Sequence, residues 1–128
     1  MNKQPLIITV DDEDDIRDSI QAVLKDEHFR VETAKDGQSL LDKLKKIKPD
    51  LILLDILMPG LTTREILEEL HKRKDKTPII FLTVVRLAEA TKKQIVKGNM
   101  VDYIEKPFDN ADLIKRIKKA LRLPVSRK

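Results

Sequence analysis

The chain contains no cysteine, so neither a disulfide framework nor a cysteine-based zinc site is open to it. That suits a reducing cytoplasm. Tryptophan is absent, and one tyrosine and three phenylalanines are too few for the aromatic platforms on which single-stranded nucleic acids stack. Long hydrophobic runs are missing as well. The most apolar stretches, Leu51–Met58 and Ile79–Val85, fall far short of the roughly 20 residues that span a bilayer. Leu6–Val10 is too short for the apolar part of a secretory signal. The expectation is a soluble cytoplasmic protein with no membrane partner. Neither an internal repeat nor a low-complexity segment is visible.

What the chain does have is 128 residues, 41% of them hydrophobic and 38% charged. That length suits one domain, which buries roughly two-thirds of its unfolded surface and needs no staples. The expected domain is Met1–Leu123, with Pro124–Lys128 as a tail or the start of a linker. The net charge of +4 raises the question of nucleic acid. Yet the basic clusters Lys43–Lys48, Lys72–Lys74 and Lys115–Lys119 alternate with apolar residues at helical spacing, as the wet faces of amphipathic helices do. No direct nucleic-acid binding is expected of them.

Two hydrophobic periods alternate along the chain. Leu6–Val10 reads as a strand, acidic Asp11–Asp15 follows, and Ile16, Ile20, Val23 and Leu24 then recur at helical spacing. Arg30–Ala34 is a second strand, and Asp36-Gly37 turns into a helix carrying Leu40, Leu41, Leu44 and Ile47. Pro49-Asp50 stops that helix before the strand Leu51–Leu54. After the turn Met58-Pro59-Gly60, a third helix carries Ile66, Leu67 and Leu70, and Ile79–Thr83 is the fourth strand. Ala88–Lys97 reads as a helix with a weak apolar stripe. Asp102–Glu105 is a short fifth strand, and a last helix carries Leu113, Ile114, Ile117 and Leu121. Five strands alternating with five helices imply an α/β domain with one parallel sheet covered on both faces. The continuously apolar strands belong in the middle and the polar ones at the edges. The order is then 2-1-3-4-5, with its switch point between strands 1 and 3.

Ligands of such sheets bind beyond the carboxyl ends of the strands near the switch point. The sequence puts Asp11 and Asp12 after strand 1, Asp55 after strand 3, Thr83 at the end of strand 4 and Lys106 after strand 5. Carboxylates gathered this closely repel by about 4 kcal/mol per pair at roughly 4 Å and an effective dielectric near ~20. A hard cation offsets such repulsion, and few protein ligands with room for water and phosphate oxygens suit Mg²⁺ better than Ca²⁺. Asp55 can then attack phosphorus as a nucleophile, with Lys106 and the Thr83 hydroxyl reading the phosphoryl oxygens. Each residue alone has a plainer reading: an N-cap for the Asp pair, a structural Thr, a surface Lys-Pro turn, an edge-strand tyrosine at Tyr103. His28 and His71 fall at helix ends among charged residues, without a catalytic partner. The joint pattern carries the expectation.

Four ordered segments, Val10-Asp11-Asp12-Glu13, Leu53-Leu54-Asp55-Ile56-Leu57-Met58-Pro59-Gly60, Phe81-Leu82-Thr83 and Tyr103-Ile104-Glu105-Lys106-Pro107-Phe108, together resemble the receiver domain of bacterial two-component response regulators. The resemblance runs from about Leu6 to Arg122. It implies the flavodoxin-like fold and a phosphorylation-dependent signalling switch rather than an enzyme acting on a separate substrate. Asp55 would receive a phosphoryl group from a phosphohistidine of a sensor kinase or phosphotransfer protein. Asp11, Asp12, Asp55 and the backbone carbonyl of Leu57 would hold Mg²⁺. Thr83 would move toward the phosphoryl group, Tyr103 would swing inward, and the Lys106-Pro107 bond would be cis. The responding surface would comprise the Ala88–Lys97 helix, the fifth strand and the last helix.

That surface would meet a downstream protein, a fused effector domain or a second copy of the chain. Asp102, Arg116 and Arg122 resemble the charged positions at which winged-helix transcription-factor receivers dimerise, although exposed ion pairs set register more than strength. The alternatives are the receiver half of a DNA-binding regulator cut just after Leu123, and a degenerate, non-phosphorylated interaction module. Haloacid-dehalogenase-like enzymes need a second Asp two residues after the nucleophile, where this chain has Leu57. Flavin phosphate would be repelled by Asp-Asp-Glu-Asp-Asp.

The chain departs from the family pattern in four places. Val84 stands where Ala or Gly is usual and would narrow the entrance to Asp55. Thr62-Thr63 replaces an Asp-Gly pair, predicting a Thr-capped helix. Gly98–Tyr103 is one residue longer than usual. Leu57 and Val85, both apolar, flank the site where the family admits or excludes the attacking water. Slow hydrolysis follows: radiolabel on the purified phosphoprotein should persist for minutes or longer, and turnover within seconds would contradict this.

Overall fold

The computed structural model describes residues 4–56, 60–84 and 99–123. Strands β1 (Leu6–Val10), β2 (Arg30–Ala34), β3 (Leu51–Asp55), β4 (Ile79–Thr83) and β5 (Met100–Glu105) form one parallel sheet in the order β2-β1-β3-β4-β5. Helices α1 (Asp14–Asp26), α2 (Gly37–Lys43), α3 (Thr63–Lys72) and α4 (Asn110–Ala120) connect and cover it. Fold class and strand order are as the sequence predicts. Four helices stand among the described residues where five were expected; the expected helix Ala88–Lys97 lies outside them, as do Leu57, Met58, Pro59, Val85 and Pro124–Lys128.

The sheet's position follows from its side chains. Every residue of β3 and β4 is buried, and β1 is buried from Ile7 onward. Successive side chains point to opposite faces, which divides the core in two. Ile8, Val10, Ile52, Leu54, Ile79 and Phe81 pack with Leu40 and Leu41 of α2 and Ile66 and Leu70 of α3. Ile7, Leu51, Leu53, Ile80 and Leu82 pack with Ile20 and Leu24 of α1 and Leu113 and Ile117 of α4. Each such aliphatic side chain contributes roughly 1.5–3 kcal/mol when fully buried. The edge strands are more polar: β2 alternates between exposed and half-buried residues until Ala34.

Local chemistry starts the helices. Asp36 caps α2, its carboxylate accepting from Ser39 N at 2.8 Å. Gly37 allows a close approach there: a Cβ would meet Ile66 Cδ1 at 2.6 Å, and the Ile66 side chain would have to shift. α3 begins with a capping box: Thr62 Oγ1 accepts from Glu65 N at 3.1 Å and Glu65 Oε1 from Thr62 N at 2.9 Å. The Thr-capped entry is thus present. α2 stops at Lys43, earlier than the apolar spacing to Ile47 predicts. Bonds from Lys45 N to Asp42 O and Lys46 N to Lys43 O tighten the chain beyond it, while Leu44 and Ile47 still pack on the core.

The extra residue before Tyr103 is absorbed in β5. Ile79 pairs with Met100 but Ile80 pairs with Asp102, so two residues of β5 oppose one step of β4. Val101, 40% exposed, is the bulged residue. From Asp102 onward the register is regular, so β5 is longer than expected and Tyr103 still pairs with Phe81.

Three helices end on left-handed residues that are not glycine: His28 (φ 68°), Lys74 (φ 57°) and Arg122 (φ 59°). Each closes the 6→1 and 5→2 bonds of a Schellman motif, as in Asp75 N to Leu70 O at 2.9 Å and Lys74 N to His71 O at 3.0 Å. A side chain in this conformation is strained. Lys74→Gly should therefore raise stability by about 0.5–1 kcal/mol, read as a higher urea midpoint at unchanged slope. Thr9 is fully buried in β1, and its Oγ1 has no hydrogen-bond partner among the described residues. Thr9→Val removes that uncompensated hydroxyl and should stabilise by about 1 kcal/mol; a lower midpoint would show the hydroxyl to be bonded.

Candidate functional site

The strand ends deliver the predicted residues to one edge. β1 runs out at Val10, and Asp11 N still bonds to Ala34 O of β2 at 3.1 Å, so the last rung of the sheet fixes the first acid. β3 carries Asp55 as its final residue. Because β1 and β3 are neighbours, carboxylate oxygens of Asp11, Asp12 and Asp55 all lie within 4.8 Å of one another. Asp11 and Asp55 are buried, at 1% and 6% exposure, and Asp12 is exposed.

Lys106 reaches this edge from beyond β5. Its Nζ donates to Asp11 Oδ2 at 2.7 Å and to Asp55 Oδ2 at 3.2 Å. Its own backbone N–H donates to Thr83 O at 2.7 Å, and the Lys106–Pro107 bond is cis. Burial by itself would push the ammonium toward deprotonation. The hydrogen bond and charge of Asp11, followed by those of Asp55, outweigh it and hold the group above its ordinary value. A raised value in the folded state means the interaction stabilises fully below the unfolded lysine value near ~10.4. It is lost as pH rises through the folded value, in alkaline solution only.

Among the described residues, this partly dry edge gathers three carboxylates around one ammonium. All the available donors are hard oxygen atoms. That fits a divalent hard cation with an incomplete protein shell. The Leu57 carbonyl, the fourth ligand expected, lies outside the described residues.

Thr83, at the end of β4, is completely buried. Tyr103 is packed more deeply than an edge-strand aromatic needs to be: it is 5% exposed, its ring edge-on to Phe81 at 6.4 Å between centroids. Val84 directly follows Thr83 and is 62% exposed. His28 and His71 are exposed. Arg116 pairs within the chain, to Asp102 at 2.8 Å and Asp112 at 2.9 Å, while Arg122 serves the end of α4.

Sequence reasoning missed Arg17. Its guanidinium donates to the backbone carbonyl of Asp11 at 2.7 Å and pairs with Asp14. The i,i+3 spacing from Asp14 was readable as a helix-face ion pair. The contact with the Asp11 backbone depends on how the loop folds back, and has no sequence signal.

Residues 7–118 match the response regulator receiver domain family. Response regulator RR06 of Streptococcus pneumoniae serotype 2 is 37% identical over 116 residues, covering 91% of this chain and 52% of that protein. The chain thus spans about half the length of this curated relative. Among solved structures, the receiver domain of Francisella response regulator 1452 is similar with a TM-score of 0.84 and 27% identity, over 93% of this chain and 98% of that one. Response regulator TrrA of Thermotoga maritima in complex with Mg(2+)-BeF is similar with a TM-score of 0.77 and 31% identity, over 91% of this chain and 99% of that one. Sheet order, acidic edge and family match coincide along the same residues, and the chain belongs to the response regulator receiver domain family.

Proposed function

We propose that the chain is a phosphorylation-dependent signalling switch in which Asp55 accepts a phosphoryl group from a phosphohistidine of a sensor kinase or phosphotransfer protein. One observation carries this reading: the carboxylates of Asp11, Asp12 and Asp55 converge within 4.8 Å at the strand ends, with the Lys106 ammonium bonded to two of them. Asp11, Asp12 and Asp55 would hold Mg²⁺, with the Leu57 carbonyl that the family resemblance adds. The related TrrA was solved in complex with Mg(2+)-BeF, which supports Mg²⁺ as the cation. When bound, the ion supplies neutralisation of charge on the phosphoryl oxygens.

The chain's own groups do the rest. An oxygen of Asp55 forms a bond to phosphorus as the P–N bond of the donor breaks, and the imidazole leaves with that electron pair. Lys106 Nζ, now shared between Asp11 and Asp55, turns to a phosphoryl oxygen as a point charge. The Thr83 hydroxyl donates to another. Thr83 and Tyr103 are both buried, and the Phe81–Tyr103 contact links β4 to β5, so a shift at Thr83 reaches the edge strand and the adjoining face of α4. That face would meet a downstream protein. At Asp102, Arg116 and Arg122 it would instead meet a second copy, Arg116 exchanging its bonds to Asp102 and Asp112 for pairs across the dimer.

A second reading is the receiver part of a longer regulator with a DNA-binding effector domain; RR06, of which the chain covers 52%, is a longer relative. A DNA-binding domain encoded after Lys128 in the gene would decide for it.

Incubation with a small phosphodonor and Mg²⁺ should add the mass of one phosphoryl group to the intact protein. Asp55→Ala should show none. An unmodified wild type, or an undiminished adduct in Asp55→Ala, would overturn the reading.

A further inference from the structure

Of the three carboxylates at the acidic edge, two are held by contacts of their own. Asp11 Oδ2 and Asp55 Oδ2 both accept from Lys106, and Asp11 Oδ1 accepts from Glu13 N at 3.0 Å. Asp12 is the exposed member, so its position depends on the backbone that carries it. Glu13, the N-cap of α1, has the usual extended backbone but makes no side-chain cap bond, so the loop is held by the Glu13 N to Asp11 Oδ1 turn and by what reaches it from α1.

Arg17 adds a second restraint to the Asp11–Glu13 turn. One end of its planar fork donates to the carbonyl of Asp11 at 2.7 Å, immediately before Asp12, and the other pairs with Asp14, two residues after it. The Arg17 side chain is 16% exposed while that of Asp14 is 81% exposed, so the anchored end of the fork lies on the loop's inner side. A guanidinium is suited to this bridge because its donors are fixed in one plane, whereas an ammonium is a single point.

We propose that Arg17 is a positioning residue: it braces the Asp11–Asp14 loop from both ends, fixes where the Asp12 carboxylate stands, and thereby sets the affinity of the acidic edge for Mg²⁺. The inference rests on the reading of that edge as a Mg²⁺ site. Positioning and field effects have opposite signs here, which makes the role decidable. A positive charge near a cation site repels the cation, so if its field mattered most, removing Arg17 would tighten Mg²⁺ binding. If bracing matters most, removal weakens it, as loss of groups behind metal ligands commonly does by about 10–100-fold.

The test is Mg²⁺ titration of the full chain at fixed ionic strength, followed by the backbone amide resonances of Asp12 and Glu13, because the chain has no tryptophan to report binding. Arg17→Met should raise the Mg²⁺ dissociation constant by about tenfold. Arg17→Lys, which keeps the charge and loses the fork, should fall between it and the wild type. Melting of the metal-free proteins is measured alongside. An unchanged or tighter dissociation constant in Arg17→Met, whether or not the melting temperature falls, would reduce Arg17 to a structural contact and overturn the proposal. A wild type that binds no Mg²⁺ would overturn the reading of the edge itself. Weakened binding in Arg17→Met with wild-type binding in Arg17→Lys would overturn the need for the fork.

Discussion

The structure turns on one constraint: like charges forced together at the end of a buried sheet. Asp11 and Asp55 end neighbouring central strands and are almost wholly removed from water. Their repulsion in a partly dry site is worth several kcal/mol, and burying one unpaired would cost as much again. Lys106 answers both, from 95 and 51 residues away along the chain. The ammonium therefore ties β1 and β3 to the turn after β5, so the contact depends on β4 and β5 being in place beside β3.

The rest of the sheet supplies the precision this contact needs. Side chains alternate between two cores, so a slip of one residue in β1 or β3 would exchange their faces and move Asp11 or Asp55 out of place. The buried aliphatic residues of β3 and β4 make such a slip costly. Gly37 lets α2 approach Ile66 of α3. The edges are where the chain tolerates irregularity: the bulge at Val101 falls on β5, upstream of Tyr103, and leaves the pairing of Tyr103 with Phe81 intact.

This division explains what could be read in advance. The strands and their order were legible because burial on both faces writes an uninterrupted apolar run, and polar edges write alternation. Asp11, Asp12, Asp55, Thr83 and Lys106 were legible because strand ends in a parallel sheet share one side. The early end of α2 was not, since Leu44 and Ile47 keep helical spacing while the backbone tightens beneath them. The bulge was visible only as one residue too many; its site is set by pairing with Ile79 and Ile80. Arg17 escaped because its decisive partner is a backbone carbonyl, and backbone atoms leave no mark in a sequence.

Charge balance also bears on what kind of chemistry the edge can do. The histidines, the usual proton carriers near neutral pH, are exposed at the ends of α1 and α3, and Lys106 is held in its charged form by the acids around it. Among the described residues at this edge, that leaves carboxylates and an ammonium, which position and neutralise more readily than they relay protons. Such a site is suited to capturing a strongly charged group and keeping it. On the proposed reading, a captured group changes the balance that holds Lys106 between Asp11 and Asp55, next to strand ends where Thr83, Phe81 and Tyr103 are buried. Packed interiors answer such a demand by moving between discrete arrangements. On the proposed reading, the like-charge constraint that organises the fold is also what makes it a switch.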